Sequence, residues 1–133
     1  MDIKFLETDQ LKKKPDDESK LGFGTIFSDY MFIMNYTEGQ GWHDAEIRKY
    51  ENFSISPAAT VFHYGQEVFE GLKAYRQVTG DIALFRAADN FKRLNNSAKR
   101  LAMPLIDEEF AHKALRELVV VEKDWIPKSK GTS

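Results

Sequence analysis

The stretch Val68-Phe69-Glu70-Gly71-Leu72-Lys73-Ala74-Tyr75-Arg76, then Gln77-Val78-Thr79-Gly80-Asp81, then Ile82-Ala83-Leu84-Phe85-Arg86 decides how this chain folds. Two apolar and aromatic runs flank a short loop that holds a glycine, which is the pattern of a β-hairpin. Directly after it, Phe91, Leu94, Ala98 and Leu101 recur at steps of three and four. They share one face of a helix running to about Met103-Pro104, where the proline ends it. Asp107 can then cap a second helix, with Glu108 and Glu109 near its positive end and Phe110, Ala114, Leu115, Leu118 and Val121 along its buried stripe. Trp125 to Pro127 close that helix, and Lys128 to Ser133 form a polar exit.

Upstream, Phe23, Ile26, Phe27, Tyr30, Phe32, Ile33 and Tyr36 form an aromatic and β-branched stretch that predicts one or two buried strands. Gly39 and Gly41 mark a turn, and Ala45, Ile47, Lys49, Phe53 and Ile55 alternate loosely up to Ser56-Pro57, as in a half-exposed strand. Residues 10–20 are charged or polar around Pro15 and read as a solvated loop. Strands followed by two helices predict an α+β layer, an antiparallel sheet with helices packed on one side. The expected organisation is a polar amino-terminal segment over residues 1–21 and one small domain over 22–133, with no internal repeat.

Composition bounds the rest. At 133 residues, 42% hydrophobic and 13% aromatic, the chain suits one domain and carries too much apolar area for disorder. A net charge of -2 offers no basic footprint for nucleic acid. Without cysteine there are no disulfides, thiolate metal sites or thiol nucleophiles, which fits a reducing compartment. Met1 to Phe5 lack the marks of a signal peptide, and runs such as Tyr30 to Met34 are far below the roughly 20 residues a membrane helix needs. A soluble cytoplasmic protein that does not engage membranes is expected.

Generic motifs give little chemistry. His43, His63 and His112 share no ligand spacing, so a metal site is not expected. Gly22-Phe23-Gly24 lacks the third glycine and following helix of a phosphate cradle, and no serine sits in a nucleophile elbow. Two local features stand out. Phe62-His63-Tyr64-Gly65 and Phe69-Glu70-Gly71 crowd rings and glycines into ten residues, which suits either a tight turn over a core or an apolar pocket wall with the Tyr64 hydroxyl as its polar handle. Arg93 lies beside Leu94 at the edge of an apolar stripe, where a guanidinium serves either as a surface ion pair or as a fork for a carboxylate or phosphate.

Taken together, His63-Tyr64-Gly65, Phe69 to Tyr75, Leu84-Phe85-Arg86, Asn90, Arg93-Leu94, Ser97-Ala98, Arg100-Leu101 and Met103-Pro104 resemble the amino-terminal half of the branched-chain amino-acid aminotransferases. Phe23 to Met31 is similar to that family's opening strand, where histidine is more usual at the place of Tyr30. Lys123 to Pro127 and Gly131-Thr132-Ser133 are similar as well. The resemblance implies the small amino-terminal domain of a fold-type IV pyridoxal phosphate enzyme, with cofactor and substrate held between it and a larger domain. It implies transfer of the amino group of leucine, isoleucine or valine to 2-oxoglutarate, giving the 2-oxo acid and glutamate, in a homodimer.

By the same resemblance, Arg93 is similar to the arginine that grips the cofactor phosphate, a role that suits its planar fork. Phe23, Tyr64 and Phe69 resemble residues lining the substrate side-chain pocket. The lysine that forms the Schiff base is expected in the larger domain, beyond residue 133, so no catalytic residue is assigned here and the 133 residues alone are expected to be inactive. Within the same fold, a D-amino-acid transaminase or an aminodeoxychorismate lyase is the rival reading. From another class, the rival is a non-catalytic chain that only associates with itself or a partner through exposed apolar surface.

Overall fold

In the computed structural model, residues 1–129 are described, so the exit from Lys130 and the similarity at Gly131-Thr132-Ser133 lie outside them. Strand β3, Gly41–Lys49, is the axis of the molecule. Its Ala45 and Ile47 alternate onto one face, each 1% exposed. Strand β2, Tyr30–Thr37, runs antiparallel along one edge with Phe32 opposite Ile47. Strand β1, Lys4–Phe5, runs parallel along the other with Phe5 opposite Ile47. Between the Ile33–Glu46 and Asn35–His43 pairs the register shifts, so that Asp44 and Ala45 together face Met34 in a β-bulge. Asp44 makes the bulge with φ +52°, a left-handed conformation that aspartate tolerates better than most residues.

The architecture is α+β, but the sheet is mixed and not antiparallel throughout as expected. The parallel member comes from the polar amino-terminal segment, where a two-residue strand is too short to show any periodicity. It is held by Leu6 N–H donating to Ile47 O at 2.9 Å. The buried Tyr30 fastens the same segment, because its hydroxyl accepts from Thr8 N–H at 3.2 Å and its ring lies 5.2 Å from that of Phe5. Residues 10–20 hold no regular element except one 3₁₀ turn at Glu18–Lys20. They are tied down nonetheless: Lys12 N–H donates to Asp29 Oδ1 at 2.7 Å, and Glu18 accepts from Ser129 N–H at 2.7 Å.

Two expected strands are shorter than the sequence pattern. Residues 23–29 are not extended in a sheet, since Gly22 and Gly24 take φ +66° and +68° and turn the chain there. Past Lys49 the strand also stops, leaving Phe53 and Ile55 exposed. The expected hairpin forms as a separate two-stranded sheet, shorter than the Val68–Arg76 and Ile82–Arg86 runs: β4 is Ala74–Arg76 and β5 is Ile82–Leu84, and residues 68–73 are not strand. Gly80 turns it at φ +93°, and Arg76 Nη2 fastens it to Lys123 O at 2.5 Å. Residues 60–64 make a one-turn helix, α1, Thr60–Tyr64, ended by Gly65 at φ +57°.

Helices α2, Ala87–Arg100, and α3, Glu108–Val121, follow as the periodicity predicts. They bury Ala87 and Ala98 on one and Ala111 and Ala114 on the other, small residues that let two helices approach closely. Asp107 caps α3 by accepting from Phe110 N–H at 2.8 Å. Asn95 clamps the connecting loop, accepting from Ile106 N–H and donating to Ile106 O, both at 2.9 Å. Trp42 Nε1–H reaches the same loop at Leu105 O, 2.7 Å away, and joins the sheet to the helices. Among the described residues no helix is long and apolar enough to cross a membrane.

Two carboxylates are buried where the sheet meets the end of α3. Asp29 accepts from Lys12 N–H and from Trp125 Nε1–H at 2.7 Å, and Glu122 accepts from Tyr30 N–H. Burial pushes the Glu122 carboxyl above the ordinary glutamate range, and the Tyr30 hydrogen bond only partly opposes it.

Candidate functional site

The cluster with most chemical potential joins α2 to the loop before β4. Asn90 and Arg93 stand three residues apart and so share one face of α2. Facing them is Glu70. Its carboxylate takes Arg93 side-on, through Nε–H to Oε1 and through Nη2–H to Oε2 at 2.9 Å. Asn90 Nδ2 donates to Glu70 Oε2 at 2.6 Å and to Gly71 O at 3.0 Å, so it fixes both the acid and the loop that carries it. The two partners differ in exposure: the Glu70 side chain is 11% exposed and that of Arg93 is 69%.

Electrostatics follow from this geometry. The Arg93 hydrogen bonds first, and that of Asn90 second, hold the Glu70 carboxyl down to about 2, so it is an anion at any physiological pH. Glu70 in turn raises the Arg93 guanidinium. A guanidinium has five N–H donors in a fixed plane, of which Glu70 uses two. Of the three left over, one on Nη1 and one on Nη2 form the end of the fork, and among the described residues no group accepts from them. A donor set of this shape fits a phosphate or carboxylate held end-on.

The sequence singled out Arg93 but not its holder. Glu70 stood inside an aromatic and glycine block as part of a motif, and Asn90 likewise. The available signal was the three-residue spacing of Asn90 and Arg93 on a helix next to an acid in a glycine-bearing loop.

The three aromatic candidates are all at the surface. Phe69, directly before Glu70, is 90% exposed, Tyr64 at the end of α1 is 84% exposed, and Phe23 is 94% exposed. Of the two readings open for the Tyr64 and Phe69 block, a turn over a core does not hold, since neither ring is covered. Phe23 borders a hollow of about 540 Å³ that is also lined by Phe27, Leu72, Leu118, Glu122 and Trp125. The 129 described residues therefore join Arg93, Glu70 and Asn90 in one hydrogen-bonded cluster with Phe69 next to Glu70 in sequence, and Phe23 shares its hollow with Leu72, two residues past Glu70. Each histidine has a local partner: His43 bridges Thr37 and Asp44, His63 meets Pro57 O at 2.8 Å, and His112 lies edge-on to Phe91.

No family model matches the chain. Curated proteins do. It is 57% identical over 122 residues, 92% of its length, to branched-chain-amino-acid transaminase 1 of Bacillus subtilis. It is 48% identical over 128 residues, 96% of its length, to branched-chain-amino-acid aminotransferase 2 of the same organism. To the branched-chain-amino-acid aminotransferase of Mycolicibacterium smegmatis it is 46% identical over 110 residues, 83% of its length. These alignments take in 34%, 35% and 30% of the three relatives, so the chain spans about a third of the length of the curated relatives it matches.

Proposed function

We propose, for a chain that belongs to the branched-chain-amino-acid aminotransferase family and carries its amino-terminal part, that it is the small-domain portion of a fold-type IV transaminase using pyridoxal 5'-phosphate. The reaction is transfer of the amino group of leucine, isoleucine or valine to 2-oxoglutarate, in a cytoplasmic homodimer. The observation that carries this reading is Arg93: a guanidinium on a regular helix, fixed along one edge by Glu70, with a free end of the right shape for a phosphate.

Each residue then has a task of its own. Arg93 binds the cofactor phosphate and so sets where the ring lies. Phe23, Tyr64 and Phe69 wall the substrate side-chain pocket once the rest of the protein covers them, which accounts for large rings that the 133 residues leave in solvent. An apolar wall accepts a branched aliphatic chain and penalises an unpaired charge. Bound pyridoxal phosphate supplies the electron sink on which amino transfer depends. The lysine that would partner it is assigned to none of the positions here, so the 133 residues alone are expected to be inactive.

Full-length protein assayed with leucine and 2-oxoglutarate should form glutamate, and absence of turnover with all three branched amino acids would overturn the substrate claim. The same panel extended to D-alanine and aminodeoxychorismate tests the rival chemistries, which the relatives' names do not favour.

A further inference from the structure

We infer that Glu70, held in place by Asn90, is a positioning residue that aims Arg93 at the cofactor phosphate, an inference that rests on the reading of Arg93 given above. Arginine has a long, rotamer-rich side chain, and this one is mostly in solvent. Left alone it would sample many directions, and anchoring it on the ligand would cost that freedom at each binding event. Glu70 removes the freedom in advance. Its two oxygens take the Nε–H and one Nη2–H, a side-on geometry that determines the plane and direction of the guanidinium. One N–H of Nη1 and the second of Nη2 then form a fork facing away from Glu70.

Three features separate this arrangement from an ordinary surface ion pair. The acid is the sheltered partner and the base the open one, so the far side of the guanidinium is left to solvent. Asn90 fastens Glu70 and the backbone of Gly71 to the helix that also carries Arg93, so acid, loop and arginine form one rigid unit. Exposed ion pairs contribute little to stability, so the consequence of the double hydrogen bond is orientation. The Glu70 carboxyl, held low by Arg93, does not lose its charge in the range where an enzyme works.

The test compares two ligands that differ only in the phosphate. In full-length apoprotein, affinities for pyridoxal 5'-phosphate and for pyridoxal are measured by absorbance titration for the wild type, E70A, E70Q, N90A and R93A. E70A should weaken pyridoxal phosphate by about tenfold and leave pyridoxal unchanged, as coupled neighbours in one network do. E70Q, which keeps an acceptor for Nε–H, should recover part of the loss, and E70A added to R93A should cost nothing beyond R93A. If R93A is selective for the phosphate and neither E70A nor E70Q is, the inference is wrong and the role of Arg93 stands. An unselective R93A removes both. A parallel loss for the two ligands in E70A and E70Q would make Glu70 a residue of the fold alone and overturn the inference.

Discussion

The region built on β3 and the region from Phe53 to Phe85 use apolar residues in opposite ways. Around β3 and the two long helices, most buried side chains are small: Ala45, Ala98, Ala111 and Ala114 close the layers beside the buried Tyr30, and among the described residues Ile47 is the one large side chain that is fully buried. Between Phe53 and Phe85, five large rings, Phe53, Phe62, Tyr64, Phe69 and Phe85, stand in solvent. Folding free energy comes from area removed from water, so the first region stabilises the fold and the second contributes little to it. Apolar surface that does not stabilise the chain carrying it marks a place for something else to cover.

Truncation on the two sides gives the largest contrast. Ile47→Ala should destabilise the 133-residue chain by about 2–5 kcal/mol, since Ile47 is fully buried on the central strand between its partners Phe5 and Phe32. Phe69→Ala should change the stability of the same chain by less than about 0.5 kcal/mol. In the full-length enzyme Phe69→Ala should instead lower kcat/KM for leucine. Equal losses in urea unfolding for the two variants would end the comparison.

Titration offers a second way to sharpen it, because the two regions carry carboxylates with opposite shifts. Glu122, raised by burial, favours its protonated form in the folded state, so its contribution is complete below the ordinary glutamate pKa and is lost as pH rises through the raised one. Glu122→Gln keeps an acceptor for Tyr30 N–H and should flatten this loss, whereas Glu122→Ala leaves that buried donor unpaired and should cost about 1–3 kcal/mol. Glu70 has the reverse sign. Its contribution is present above a pH near 4.5 and disappears as pH falls toward about 2. It is small, since the Arg93 side of the pair is open to water, and Glu70→Gln should lower the neutral stability slightly and make the acid-side slope shallower in a urea-unfolding series from pH 5 to pH 2. A slope unchanged in Glu70→Gln would assign the acid sensitivity to the other carboxylates held low, Asp17, Glu18 and Asp44.

What could be read from the sequence divides along the same line. Helices α2 and α3, the Asp107 cap and the β4–β5 hairpin were legible because period 3.6, a capping aspartate and a Gly80 turn are local signals. Strand β1 was not, since two residues cannot show alternation and its partner lies some forty positions away. The excess length predicted for the strand at Phe23 has a physical cause as well. Apolar content there matched a strand, but two glycines with positive φ decide the backbone. Arg93 was legible through its place on an apolar stripe and through the family resemblance. Glu70 was not, because a pairing across a loop and a helix depends on the turn that brings them together.

The smallest expected effect lies at the end of α2, the helix whose outer face carries Arg93 and whose inner face buries Ala98. Met103 N–H donates to Ala98 O at 2.9 Å and Ala102 N–H to Lys99 O at 3.3 Å, the two bonds of a Schellman ending, and Ala102 adopts φ +51° to make them. Glycine usually occupies that place, since a Cβ in the left-handed region costs about 1–2 kcal/mol. Ala102→Gly removes that strain and loosens the unfolded chain by about 0.4–1 kcal/mol, leaving a net gain near 0.5 kcal/mol. Arg86, at φ +52° before the same helix, provides the control. Its side chain pairs with Asp89 at 2.6 Å, so Arg86→Gly gives up an interaction along with the strain and should gain less. Differential scanning of the two variants should rank Ala102→Gly above Arg86→Gly in melting temperature, with pyridoxal phosphate affinity of the full-length protein unchanged in the former. A lower melting temperature for Ala102→Gly would mean that the helix end is not strained, and that the rigidity assigned to the unit bearing Arg93 does not extend to its last turn.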